Sequence, residues 1–231
     1  MGILSRLLGR FCAFLPDGHE YFEGAYHEGK AKYYYVKTDA GVMYDGEFRF
    51  VHKLGGGMYR KAKGEFDMDK KTGCWEFIRR GSDSLRQVYA MYDEGYLIGE
   101  LDYRCEEVTM GGVVESELFL NMSKGMVCGD FSGYFDGGDF NGSCDEEGFP
   151  DGVWTLTTKE KDVVTEIRKE VWQHGRLLEA TYEDTLWKKP ESASPMLREK
   201  VNYMLDNGCI RLLKIIERGS MKPTLHIPRK Q

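Results

Sequence analysis

One short phrase recurs along this chain and narrows its folds more than any other feature: an aromatic residue, one intervening position, then glycine. It occurs in Phe22-Glu-Gly-Ala-Tyr26-His-Glu-Gly29 and Tyr44-Asp-Gly-Glu-Phe48. It recurs in Phe131-Ser-Gly-Tyr-Phe135-Asp-Gly-Gly138 and Phe140-Asn-Gly-Ser-Cys144, and Lys63-Gly-Glu-Phe66 is a related form. A glycine between bulky residues on a short strand lets a neighbouring ring lie over the backbone, and further glycines supply the positive φ of turns. The chain carries 28 glycines against 6 prolines, which favours tight turns over proline-rich linkers. Aromatics at 13% suit strands better than helices.

A longer repeat contains the short one. Gly73-Cys-Trp75-Glu-Phe77 matches Gly152-Val-Trp154-Thr-Leu156. Seventeen residues after Trp75 comes Tyr92-Asp-Glu-Gly95-Tyr-Leu97, and eighteen after Trp154 comes Trp172-Gln-His-Gly175-Arg-Leu177. The spacing predicts an internal duplication of hairpin pairs, with the one-residue difference taken up in a loop. Val163, Ile167 and Val171 fit a helical period, as do Leu85, Val88, Tyr89 and Tyr92, but both segments also alternate. Their β-branched residues and equivalent positions in the repeat select strand.

The ends differ from the middle. Residues 1–16 are expected to form a short amphipathic helix; the apolar run Phe11 to Leu15 is too short for a signal-peptide core or a membrane span. Residues 17–186 form the repeat domain, and 187–193 read as a linker. Residues 194–219 read as a helical pair: Ser194 as N-cap, Pro195 at the first helical position, Leu197, Val201, Met204 and Leu205 on one apolar face, then Asn207-Gly208 as a stop. Ile210, Leu212, Leu213, Ile215 and Ile216 give the second helix its apolar face, and the two helices either cover one side of the sheet, the preferred reading, or bind a partner. Residues 220–231 are a basic tail.

The phrases beginning at Phe22 and Phe131 resemble the MORN repeat, aromatic-x-Gly-x-aromatic-x-x-Gly, and the Trp75 and Trp154 units look like its bacterial variants. The resemblance spans roughly Tyr21 to Tyr182. It implies a mainly β protein with an elongated or curved antiparallel sheet of repeated β-hairpins, and scaffolding, protein interaction or membrane association rather than catalysis. The sequence departs from the pattern where Arg49-Phe50-Val51 follows Phe48 without the trailing glycine, and in the inserts at Gly55-Gly56-Gly57 and Gly111-Gly112.

Motifs that carry chemistry fail on inspection. Gly24 to Ala31 approaches a phosphate-binding loop, but Ala31 stands where Ser or Thr should ligate magnesium, and Tyr33-Tyr-Tyr-Val36 reads as strand rather than helix. Asp136 to Glu147 is acidic and glycine-rich. Counted from Asp139, however, a calcium loop would need glycine at Cys144 and Glu at Pro150. Ser132 lies in Gly129-Asp-Phe-Ser-Gly133, not a nucleophile elbow. The cysteines at 12, 74, 105, 128, 144 and 209 lack zinc spacing and read as free thiols in a reducing compartment. The net charge of −6 argues against a general nucleic-acid binder.

The preferred reading is therefore a cytoplasmic, non-enzymatic β-repeat scaffold that binds another protein, with no cofactor, metal or catalytic residue. Tyr92 and Trp172 are its candidate partner anchors where exposed; packing in the core is the simpler reading of both rings. The alternatives are a peripheral membrane protein using Met1 to Leu15 and the basic tail, and an enzyme or small-ligand carrier with a pocket between sheet and helices.

Overall fold

A chain of alternating apolar and polar residues, broken by glycine at short intervals, has one economical solution: successive antiparallel hairpins sharing a buried face. The computed structural model describes residues 20–24, 36–38, 41–43 and 46–205 apart from 69, 136, 162, 186–188 and 195, together with Leu213. Its strands are β1 (Glu20–Gly24), β2 (Val36–Thr38), β3 (Gly41–Met43), β4 (Gly46–Gly55), β5 (Met58–Asp67), β6 (Lys70–Arg80), β7 (Ser84–Asp93) and β8 (Tyr96–Thr109). They continue with β9 (Gly112–Ser123), β10 (Met126–Phe135), β11 (Gly138–Cys144), β12 (Pro150–Glu160), β13 (Val163–Gln173), β14 (Arg176–Asp184) and β15 (Lys189–Ser192). One helix, α1, spans Leu197–Met204. The protein is mainly β, with an open 13-stranded sheet in the order β1-β4-β5 and then sequentially to β15, while β2 and β3 pair separately. Both segments of ambiguous period, at 85–92 and 163–171, lie in strands, β7 and β13.

Register explains the glycines. One row of paired positions crosses the sheet through Ala62, Phe77, Val88, Tyr103, Leu118, Gly133, Phe140 and Leu156. The next runs through Trp75, Ala90, Leu101, Leu120, Phe131 and Gly142. Large side chains in both rows are buried and form one apolar cluster. Beside the buried rings of Trp75, Phe140 and Phe131, a position on the neighbouring strand is glycine. A Cβ at Gly142 would lie 2.6 Å from Phe131 Cζ and 2.7 Å from Trp154 Cδ1. A Cβ at Gly64 would collide with the Trp75 indole, and one at Gly133 with the Phe140 ring. The expectation that rings lie over glycine backbone holds at these sites.

A second class of glycine bends the strands. Gly46, Gly73, Gly99, Gly129 and Gly152 all have positive φ, and each lies two residues before a buried large residue: Phe48, Trp75, Leu101, Phe131 and Trp154. At the last four of these glycines the pairing register shifts, between Lys63 and Glu65, Ala90 and Met91, Val127 and Phe131, and Asn141 and Ser143. These are β-bulges, which swing the following large side chain onto the buried face. The duplication is visible in the backbone: Gly73 pairs with Tyr92 and Gly152 with Trp172. Glu94-Gly95 and His174-Gly175 are matching positive-φ turns, and Gly95 and Gly175 donate N–H to Lys71 O and Pro150 O. Lys124-Gly125 repeats the turn, with Gly125 N–H donating to Leu97 O.

The C-terminal part departs from expectation. The described residues hold a single short helix rather than a helical pair; apart from Leu213, residues 206–231 lie outside the described residues, as do 1–19 with their expected helix. Leu197, Val201, Met204 and Leu205 are buried and join the sheet's apolar cluster, so α1 covers the sheet as expected. Its start is displaced from Ser194. The N-cap position is Met196, without a side-chain cap of its own. A distant residue supplies the cap: Glu170 on β13, fully buried, accepts from Met196 N–H (2.5 Å) and Leu197 N–H (3.0 Å) through Oε1 and from Trp172 Nε1 (3.2 Å) through Oε2. An anion at a helix N-terminus satisfies donors that have no partner inside the helix.

Candidate interaction surface

Alternation along each strand sends every second side chain to the opposite, open face. There Glu100, Asp102, Phe119, Asn121, Asp130, Ser132, Asn141, Ser143 and Val153 line a wide depression of about 650 Å³. A second hollow of about 500 Å³, between Lys63, Cys74, Glu76, Tyr89 and Met91, shares Glu100 and Asp102 with it. Tyr89, Met91, Phe119 and Val153 are exposed large apolar side chains, set among carboxylates.

The polar groups around the depression hold one another in place. Arg104 donates to Asp102 (3.0 Å) and lies over the Phe119 ring (5.9 Å to the centroid). Asn121 Nδ2 donates to Asp130 O (2.9 Å), and the Tyr89 hydroxyl donates to Glu76 (3.1 Å). Burial pushes the Tyr89 phenol up, and the Glu76 charge and hydrogen bond push the same way. Glu100 and Asp130 have no ion pair among the described residues. The surface is therefore acidic and aromatic, with a charge pattern suited to a cationic partner.

The two candidate anchors are elsewhere. Tyr92 and Trp172 are 2% and 4% exposed, so neither offers a contact at the surface. Strand parity is the reason: Tyr92 shares its face with Val88 and Ala90, and Trp172 shares its face with Glu170. Each ring packs on the tryptophan of its own unit, Tyr92 on Trp75 (6.2 Å between centroids) and Trp172 on Trp154 (5.9 Å). The residues that do present apolar surface, Tyr89, Met91 and Phe119, sit one position out of phase. Alternation in β7 and β9 carries that signal once the inward parity is known.

A separate polar cluster closes the turn between β11 and β12. Asp145 Oδ1 accepts from Glu147 N–H and Phe149 N–H, and Asp145 Oδ2 contacts His174 Nδ1 at 2.6 Å. Partial burial pushes the Asp145 carboxyl up, but the hydrogen bonds from Phe149, His174 and Glu147 outweigh it and hold it below its ordinary 3.8. A depressed carboxyl contributes stability that is complete above its unfolded pKa and is lost as pH falls through the lower folded value. Thermal melting of the wild type and Asp145→Asn is expected to differ at pH 7 and to converge as pH drops below about 3.9.

Most of the acidic, glycine-rich segment is strand β11, with a turn at residues 146–148, and no group of three His, Cys, Asp or Glu among the described residues is arranged to hold a metal ion. The near phosphate loop at 24–31 lies outside the described residues beyond Gly24. Cys74, Cys105, Cys128 and Cys144 are free thiols. Burial drives the Cys144 thiol up to about 12, with the nearby Asp145 charge adding to it, whereas Cys74 is exposed. Iodoacetamide at pH 8 is expected to label Cys74 at least tenfold faster than Cys144 in the folded chain, since the thiolate is the nucleophile; mass spectrometry reads both rates. Among the described residues no helix is long and apolar enough to cross a membrane.

No family model, no curated protein and no solved structure matches this chain.

Proposed function

We propose that this protein is a non-enzymatic, MORN-like β-hairpin-repeat scaffold of the cytoplasm that binds another protein across the open face of its sheet. One observation carries the reading: exposed Phe119 and Val153 lie in a solvent-facing depression, and exposed Tyr89 and Met91 in the hollow beside it, the two sharing the carboxylates of Glu100 and Asp102. Large apolar side chains in a shallow concavity are the usual anchors of protein interfaces. The depression is broad and open, which suits a protein surface better than an enclosed small molecule. In this reading α1 and the buried Leu213 belong to the covered face, and the opposite face is left for the partner.

The test is affinity capture from native extract with wild-type chain and with Tyr89→Ala/Phe119→Ala. Both side chains are exposed, so the variant should melt like the wild type. The reading expects a specific protein retained by the wild type and reduced at least tenfold by the variant, since two anchor rings are worth about 1–2 kcal/mol each or more. Equal retention by both chains would refute it.

A further inference from the structure

The hairpin of β8 and β9 is longer than its neighbours need. β8 continues past its last pairs with β7 into Val108 and Thr109, and residues Gly112 to Ser116 of β9 lie beyond the final pair with β10 at Glu117. On the β10 side the overhang is roughly 15 Å at ~3.4 Å per residue. Its end is apolar: Val108 is 61% exposed, Val113 is 62% exposed, and Met110 at the turn is fully exposed. Val108 and Val113 sit directly opposite each other. The turn is held ready, with Thr109 Oγ1 donating to Gly112 O (2.9 Å) and accepting from Gly111 N–H (3.2 Å). A solvent-exposed hairpin turn asks only for small or polar residues, so folding alone does not call for a methionine between two valines.

Immediately behind this tip, on the same face as Val108 and Val113, Glu106 pairs directly opposite Glu115. Like charges facing each other across strands destabilise a sheet, and neither carboxylate has an ion pair among the described residues. We infer that the tip is a docking plug: Val108, Met110 and Val113 enter an apolar pocket on a partner protein whose rim carries Lys or Arg to pair with Glu106 and Glu115. The acids count against an anionic lipid surface. They count equally against a second copy of this chain, whose open face is lined by Glu100, Asp102 and Asp130. This rests on the protein-binding reading and adds a second contact, outside the depression.

The experiment places benzoylphenylalanine at position 110 or, separately, at position 153 in the depression of the full chain, and irradiates each in native extract. The inference expects a saturable adduct at 110 with one protein, through a peptide containing apolar residues flanked by Lys or Arg. Excess wild-type chain should compete it away, and the Val108→Ser/Met110→Ser/Val113→Ser chain should compete at least tenfold less well. Glu106→Lys/Glu115→Lys should lower the adduct yield at least tenfold. Melting temperatures show that both variants fold. An adduct with lipid or with the chain itself, an adduct indifferent to the charge reversal, or competition undiminished by the triple serine variant overturns the plug. An adduct at 153 alone overturns the plug and leaves the protein-binding reading standing. Absence of a saturable adduct at both positions overturns both.

Discussion

Replacing Trp75 with alanine is expected to cost about 3–5 kcal/mol of stability, the range for removing a large buried aromatic ring. The indole is 1% exposed and is the hub of the N-terminal half of the core. Phe66 meets it edge-on (4.9 Å), Phe77 stacks on it (5.5 Å), and Phe48 and Tyr92 pack at 5.9 and 6.2 Å. Lys71, also buried, has its ammonium 5.3 Å from the Trp75 ring and close to the rings of Phe77 and Tyr92, a geometry in which the cation and the ring faces attract. Trp75 Nε1 donates to Glu65 O and Thr72 O across the bulge, both at 3.1 Å. Trp75→Phe keeps an aromatic ring but drops those hydrogen bonds, so its expected cost is smaller, about 1–3 kcal/mol. Denaturant unfolding followed by far-UV circular dichroism measures both. An alanine variant within 1 kcal/mol of wild type would show that the rings are spectators.

The second large effect is expected at Glu170. Removing its carboxylate with Glu170→Ala leaves the N–H groups of Met196 and Leu197 and the Trp172 indole N–H without their acceptor in a buried place. Each unsatisfied buried donor costs about 1–3 kcal/mol, so a loss of about 3 kcal/mol is expected. The loss is concentrated at α1, because the carboxylate ties the helix start to β13. Hydrogen exchange should therefore speed up most strongly over Leu197 to Leu205, and apolar surface under the helix should begin to bind dye. Glu170→Gln is expected to fall between the two. Its oxygen can still serve Met196 and Leu197, but its amide would point a donor at the Trp172 donor, and the helix loses a negative charge at its positive end. Exchange that rises uniformly across the sheet in Glu170→Ala would contradict the anchoring role.

Much of the sheet was legible because its signals are local. Glycine next to an aromatic ring, and the match between Gly73-Cys-Trp75 and Gly152-Val-Trp154, depend on residues two apart, and the structure puts them at equivalent bulges. The intervening unit escaped notice because Gly99-Glu-Leu101 has leucine in place of the ring and the units are unevenly spaced, yet Gly99 has the same positive φ and register shift. Gly73 and Gly152 stand out in the sequence only as landmarks of the repeat; that each forms a bulge is decided by pairing with the neighbouring strand. Non-local features were out of reach. Glu170 caps a helix 27 residues away, so Ser194 looked like the natural cap from sequence alone. Tyr92 and Trp172 were candidates for the surface because composition does not reveal strand parity; register turned them inward and put Tyr89, Met91 and Phe119 outside.

The central claim is that glycine is required where a ring from the next strand lies over the backbone. A double-mutant cycle at Gly64 and Trp75 tests it most directly, because the three atoms nearest a Cβ at Gly64 all belong to the Trp75 indole. Equilibrium unfolding in guanidinium chloride gives the four free energies. Gly64→Ala is expected to cost about 2–3 kcal/mol when Trp75 is present, as overpacking does. In the Trp75→Ala background the same change should cost under about 1 kcal/mol, giving a coupling near 2 kcal/mol, within the range for residues in contact. Equal costs in the two backgrounds would contradict the claim.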